Sequence, residues 1–217
     1  MYSKEIENYK AALKLTRKQR EILVGLMLGD GHLESQNRGK TYRLKLEYCV
    51  KNSEYCQHLH EVFREWVLRP PKKKSKSCNG HLSSNIAFST VSHGAFRFYA
   101  RQFYRDGKKV VPTMTHKLLT ARGLAYWFMD DGSMKSAQSK GTILNTQGFN
   151  RQEVAMLVDL LEDKFKLNAK ERRQKEGYQI YISGNSYEEL LSLIGNLIHP
   201  SMRYKIPTPR RTQLPKM

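Results

Sequence analysis

The chain has 217 residues, 39% of them apolar, enough for one fair-sized core or for two small domains sharing one. With 38 Lys and Arg against 20 Asp and Glu, the formal net charge is +18, an imbalance that repels itself in a compact state and points to a polyanionic partner. A membrane partner is set aside, because the longest apolar run, 22–28, is too short to span a bilayer and residues 1–7 lack the apolar stretch of a leader; three cysteines without CxxC pairing exclude structural zinc and fit a reducing compartment.

The first element is announced by TRKQ at 16–19, a capping box in which the Thr16 hydroxyl and Gln19 amide satisfy orphan N–H groups at a helix start. That helix runs through 22–28, apolar on every side, and stops at Gly29-Asp30-Gly31, with Gly31 expected in the left-handed conformation. Residues 42–48 alternate like a half-buried strand, 53–66 form an amphipathic helix, and 69–80, rich in Pro, Lys and Ser, reads as a loop joining two strands. A strand at 85–89, a helix over 93–103 and the tripeptide-spaced pair Lys109 and Pro112 close the first half. Thr120 then caps a second apolar helix that ends in Asp131-Gly132, with Gly132 again read as left-handed. A short strand at 142–146, a helix over 151–165, a strand at 178–183, a helix over 186–197 and Lys205 before Pro207 complete the chain.

These elements repeat in register. LVGLMLGDG at 23–31 is answered by LAYWFMDDG at 124–132, and each motif is followed by the same order of strands, helix, strands, helix and a Lys before a Pro. The chain therefore divides into halves at 1–106 and 120–217 joined by 107–119, forming one pseudo-symmetric monomer of α+β class. A helix apolar all round must be buried on all faces, and Gly25 within one calls for close approach of the other. Packing the two helices together makes Asp30 and Asp131 neighbours at one edge. Both carboxylates then face the negative ends of helix dipoles and repel each other, an arrangement that a bridging divalent cation relieves.

The paired motifs resemble those of the LAGLIDADG homing endonucleases in their single-chain, two-motif form. The first matches at Leu23, Gly25, Leu26, Asp30 and Gly31, the second at Leu124, Ala125, Asp131 and Gly132. The likeness extends to the omega-intron type of fungal mitochondria in WVLRPPK at 66–72 and YKIP at 204–207. It implies an αββαββα unit used twice, with two antiparallel sheets forming a DNA-binding saddle. It also implies site-specific double-strand cleavage that leaves 3′ overhangs, in the service of intron homing.

On this resemblance Asp30 and Asp131 hold the metal with help from the backbone carbonyls of Gly29 and Asp130, and Lys109 and Lys205 assist catalysis. Glu47 and Asn145 position water. Mg²⁺ is the expected ion, with Mn²⁺ able to replace it and Ca²⁺ binding without supporting cleavage. The expected partner is a long, non-palindromic duplex, with no obligatory protein partner and an organellar setting, mitochondrial ahead of chloroplast.

Basic side chains on strands and loops are the candidates for DNA contact: Arg38, Lys40, Arg43, Lys45, Lys72, Lys73, Lys74, Lys76, Lys135, Lys170, Arg172, Arg173 and Lys175, with Arg210 and Arg211 gripping backbone. Two rivals share the scaffold. An intron maturase would bind RNA, and a lapsed regulator would bind DNA without cutting; neither needs both aspartates and both lysines.

Overall fold

The computed structural model describes residues 4–78 and 81–208, of which 76–78 and 81–83 as backbone. A leading helix, α1 (Lys4–Ala12), precedes α2 (Arg17–Leu28), β1 (His32–Gln36), β2 (Thr41–Cys49), α3 (Ser53–Val62), β3 (Lys72–Cys78), β4 (His81–Ser89) and α4 (Arg97–Phe103). A small hairpin of β5 (Tyr104–Arg105) and β6 (Lys108–Lys109) and the one-turn α5 (Thr115–Leu118) lead into the second half. There follow α6 (Ala121–Asp131), β7 (Gly132–Met134), β8 (Thr142–Leu144), α7 (Arg151–Phe165), β9 (Ala169–Gln174), β10 (Gly177–Ile182) and α8 (Tyr187–Ile194). From α2 and again from α6 the order is αββαββα. The two four-stranded sheets share one topology, β1-β2-β4-β3 and β7-β8-β10-β9, with every pairing antiparallel.

Local chemistry explains most boundaries. Thr16 and Gln19 form the expected capping box, and the Thr120 side chain accepts from the Gly123 N–H. The Gln19 side chain has a second task, since its amide donates to the Val62 carbonyl at 2.9 Å and ties α2 to the end of α3. The helix predicted over 53–66 ends at Val62, and the chain tightens into a 3-10 turn (Arg64–Trp66) that buries Trp66 edge-on against Phe96.

Three expectations are corrected. The segment 69–80 is not a loop throughout, because Lys72–Cys78 is a strand paired along β4. It is an edge strand whose residues 72–75 are all exposed, so no apolar alternation marks it, and its lysines discourage pairing with another chain. Gly31 and Gly132 are not left-handed: neither has a positive φ, and Gly132 sits at φ −71°. Both positions exclude a side chain for lack of room, since a Cβ would lie 2.8 Å from the Leu26 carbonyl oxygen in one case and 2.4 Å from that of Phe128 in the other.

The core is organised around α2 and α6. Ile22, Leu23, Leu26, Met27, Leu124, Ala125, Trp127, Phe128 and Met129 are all fully buried, as all-round apolarity requires. A Cβ on Gly25 would lie 2.1 Å from the carbonyl oxygen of Gly123, so the helices cross backbone to backbone at this pair of glycines. The partner of Gly25 is thus Gly123, the residue just before the stretch 124–129 that the sequence pointed to. Arg122 reaches across to Glu21 at 2.9 Å, and the crossing carries both helix C-termini to one edge of the interface.

Candidate functional site

The two Asp-Gly ends meet at that edge. Asp130, the residue before Asp131, accepts a hydrogen bond from the backbone N–H of Asp30 at 2.9 Å. Burial is the main force on the carboxyl of Asp131, which is pushed up to about 7, with the charge of Asp30 adding to the shift while Lys109 and Lys205 oppose it. Asp30 keeps an exposed face, yet burial of its other side still raises its carboxyl, again against both lysines. Burial in turn lowers Lys109 and Lys205, and the three aspartates pull them back. Five ionisable groups from four segments thus share one small, poorly hydrated centre.

The lysines arrive by different routes and end in equivalent places. Lys109 lies on the β5–β6 hairpin, whose two-residue turn Asp106-Gly107 has positive φ at both positions (50° and 75°), the geometry that Asp-Gly favours. Its Nζ donates to the carbonyl of Gly29 at 2.5 Å, one residue before Asp30. Lys205 ends a 3-10 turn (Pro200–Lys205), and its Nζ donates to the carbonyls of Met129 and Asp130 at 2.6 Å each, the latter one residue before Asp131. The adjacent Lys108 pairs with Arg105 across the hairpin and is exposed.

Sheet register fixes which other residues approach. His32 faces Lys45 across the first sheet, so the next step sets Gly31 beside Leu46, as Gly132 is paired with Leu144 in the second. Glu47 and Asn145 are therefore equivalent positions. They are engaged differently: Glu47 accepts from Asn85 at 2.8 Å and faces Lys74 at 3.7 Å, whereas Asn145 donates through its backbone and side-chain N–H groups to the Asp131 carbonyl at 3.0 and 2.8 Å.

Alternation sorts the basic residues. Arg43 and Lys45 share the open face of β2 with Glu47, Lys72 and Lys74 share that of β3, and Lys170 and Arg172 share that of β9. Arg43, Lys45, Lys72 and Lys74 line a groove of about 560 Å³ in the first half that also includes Asp30, His32 and Glu47, while Lys170 and Arg172 lie on the open face of the second sheet. Lys73 and Arg173 fall on the opposite, helix-bearing faces, opposite Ile86 and Tyr178 respectively, so the register does not bring them to the groove. Arg38 and Lys40 are exposed at the β1–β2 turn, and Lys135 and Lys170 both lie over the Tyr181 ring, 5.1 and 5.7 Å from its centre. The side chain of Lys76 and residues Arg210 and Arg211 lie outside the described set.

Titration of the centre has a definite sign. In chelator, folded Asp131 binds its proton up to about 7, while the unfolded carboxyl releases it near 3.9. A folded-state pKa raised above the unfolded value stabilises at low pH and loses that contribution as pH rises through the window. The thermal midpoint in EDTA is therefore expected to fall as pH rises from about 4 to about 7, and Asp131→Asn is expected to flatten that slope. A slope unchanged in the variant would show that other groups set it.

The model of the LAGLIDADG DNA endonuclease family matches residues 20–190, which spans both helix ends and the sheets between them. The chain belongs to the LAGLIDADG DNA endonuclease family. A probable intron-encoded endonuclease 1 of Wickerhamomyces canadensis is 35% identical over 213 residues, covering 94% of this chain and 90% of that protein. A cytochrome b mRNA maturase bI2 of Debaryomyces hansenii is 32% identical over 200 residues, covering 88% of this chain and 74% of that protein. Among solved structures, the homing endonuclease I-WcaI bound to its DNA recognition sequence superposes with a TM-score of 0.91 at 33% identity, covering 95% of this chain and 94% of that one. The fold is accordingly the LAGLIDADG homing-endonuclease fold, and the α+β expectation with two antiparallel sheets holds.

Sequence reasoning overlooked several residues of this LAGLIDADG centre. The Asp130 side chain, with Tyr48 and Tyr55 donating to it at 3.1 and 3.2 Å, carries no motif of its own. Gln179 donates to Asn145 at 2.7 Å, and Glu34 binds both Arg43 and Lys45, the latter at 3.0 Å. The β5–β6 hairpin that delivers Lys109 was signalled by Asp106-Gly107, a strong hairpin dipeptide.

Proposed function

We propose that the paired helix ends are the catalytic centre of a site-specific DNA endonuclease that holds divalent metal through Asp30 and Asp131, with Mg²⁺ as its natural ion. The observation that carries this reading is the pseudo-symmetric contact of Lys109 with the Gly29 carbonyl and Lys205 with the Asp130 carbonyl, each beside its own aspartate. The donor set fits a hard cation: two carboxylates, joined by the Gly29 and Asp130 carbonyls once Lys109 and Lys205 release or share them, all oxygen. It is not a cluster of three or more His, Cys, Asp or Glu side chains, and none that could hold a metal ion occurs among the described residues.

When bound, such an ion supplies a nucleophilic hydroxide and neutralises charge at phosphorus and on the leaving oxygen. The chain's own residues supply the rest. Asp30 and Asp131 fix the two cutting positions, and their separation across the helix interface serves two strands. Lys109 and Lys205 each bring a cation to where negative charge develops on the phosphoryl oxygens. Asn145 holds the Asp131 turn in place, and Glu47 occupies the matching position in the first half, so both are candidates for ordering water.

The open sheet faces present Arg43, Lys45, Lys72, Lys74, Lys170 and Arg172 to the duplex, most of them for phosphate. The two faces differ in sequence throughout, which supports a long, non-palindromic target bound by one monomer. Mn²⁺ is expected to replace Mg²⁺, with Ca²⁺ supporting binding only. The organism and gene setting of the yeast relatives support an organellar, mitochondrial location.

Glu34 neutralises two of these cations in the first sheet, at Arg43 and Lys45. Glu34→Gln is expected to steepen the slope of log affinity against log salt by about one to two, as freed cations displace more counterions from DNA. Filter binding between 50 and 300 mM salt measures it, and an unchanged slope would mean the pair is already broken on DNA.

Selection of cleaved sites from a randomised duplex library in Mg²⁺ tests the function itself. The expected result is one long asymmetric site. The likeness to a cytochrome b mRNA maturase favours a second reading as an RNA-binding splicing factor. Failure to cut any sequence, together with tight binding to structured RNA, would establish that reading instead.

A further inference from the structure

The two motifs are unequal at their seventh position, where the first has Gly29 and the second Asp130. The Asp130 carboxylate is turned inward across the helix interface. Its Oδ2 accepts from the Asp30 backbone N–H at 2.9 Å, and its Oδ1 accepts from the hydroxyls of Tyr48 and Tyr55 at 3.1 and 3.2 Å. All three donors belong to the first half. Tyr55 is fully buried and Tyr48 nearly so, and their rings pack edge to face at 5.2 Å, so the two hydroxyls are held in fixed positions.

Space explains why no reciprocal contact exists. A Cβ on Gly29 would lie 2.5 Å from the Asp130 Oδ2 and 2.5 Å from its Cβ, so an aspartate on both sides would collide. The Asp131 turn is secured differently, by the backbone and side-chain N–H groups of Asn145 on its carbonyl, all within the second half. The Asp30 turn has its backbone N–H tied to a group from the opposite half.

We propose that Asp130 acts through its side chain as the positioning residue for Asp30, a strut from the second half that sets the first half's metal-holding aspartate. This rests on the reading of Asp30 as a metal-holding residue. The strut works as a hydrogen-bond acceptor, so an Asn at this position keeps most of it: its amide oxygen accepts the Asp30 N–H and its NH₂ meets the two tyrosine oxygens. An Ala keeps none.

The test needs no DNA. Amide exchange of the full chain in EDTA, read by NMR at Asp30, is expected to accelerate about tenfold or more in Asp130→Ala, which removes the acceptor of the Asp30 N–H, and to return most of the way in Asp130→Asn. The Asp131 amide is expected to stay within about twofold in both. With end-labelled selected target and Mn²⁺, single-turnover cleavage by Asp130→Ala should change the ratio of the two strand rates, and Asp130→Asn should restore it.

An Asp30 amide and a strand ratio both as in wild type, in an Ala variant that melts normally, would overturn the strut. If that variant does not fold, the double substitution Tyr48→Phe with Tyr55→Phe removes the anchors of the carboxylate and must move Asp30 exchange the same way; no change there overturns it equally. The underlying reading fails separately. Wild-type cleavage by Asp30→Asn would remove it while leaving the exchange result standing.

Discussion

Asp30→Asn and Asp131→Asn are each expected to reduce double-strand cleavage by at least about a thousandfold while leaving DNA affinity nearly intact, because metal-assisted activation and charge neutralisation contribute several kcal/mol to phosphodiester hydrolysis. Asn keeps the size of the side chain and removes its charge, so the helix interface below is undisturbed. The substitution also relieves an electrostatic cost. Burial and mutual repulsion already push the Asp131 carboxyl up to about 7, so a neutral amide in its place is expected to stabilise the fold in EDTA above that pH. Loss of cutting accompanied by gain of stability is a signature that a merely structural aspartate would not give. Conversion of a supercoiled plasmid carrying the selected site measures cleavage in Mg²⁺, and gel shift in Ca²⁺ measures binding. Full cleavage by either variant would sink the assignment of these residues.

Gly25→Ala is expected to destabilise the protein by about 3 kcal/mol, at the upper end of overpacking costs, and to lower the melting midpoint by about 6–12 °C for a chain of this size. The added methyl group would meet the Gly123 carbonyl oxygen at 2.1 Å, and both partners are backbone, so neither can swing aside. Relief requires the helices to separate by an ångström or so along their crossing. That displacement is carried directly to Asp30 and Asp131 at the ends of the same helices, so cleavage should fall further than the loss of folded protein explains. Gly148→Ala is the control, since a Cβ there meets nothing within 4 Å. Equal melting midpoints for the Gly25 and Gly148 variants would mean that the close crossing is not maintained in solution.

The repeat was legible because burial writes itself into sequence. The all-round apolar runs at 22–28 and 124–129 could only be mutually packed helices, and the alternation of Leu44, Leu46 and Tyr48 could only be a strand with one covered face. Equivalent elements then set Asp30 with Asp131 and Lys109 with Lys205, the family resemblance added Glu47 and Asn145, and the register of the two sheets places that last pair at matching positions. Strand β3 was not legible, because an edge strand exposed on both faces carries no hydrophobic period. For the same reason a list of lysines and arginines could not be divided by face until the register put Lys73 and Arg173 on the helix-bearing sides.

The sequence by itself determined the family, the twofold plan and the equivalent places of Asp30 and Asp131 at two helix ends, since these depend on local periodicity and on repetition along the chain. Only the tertiary structure decided that Gly25 meets Gly123, that Lys205 reaches the Asp130 carbonyl, and that the Asp130 carboxylate crosses to the Asp30 amide. Each of these is a contact between segments about 75 to 100 residues apart whose partners share no pattern. Close packing in three dimensions, and not chain periodicity, selects such partners. The Asp-Gly helix ends were therefore legible as a pair, and the strut that makes the pair unequal was not.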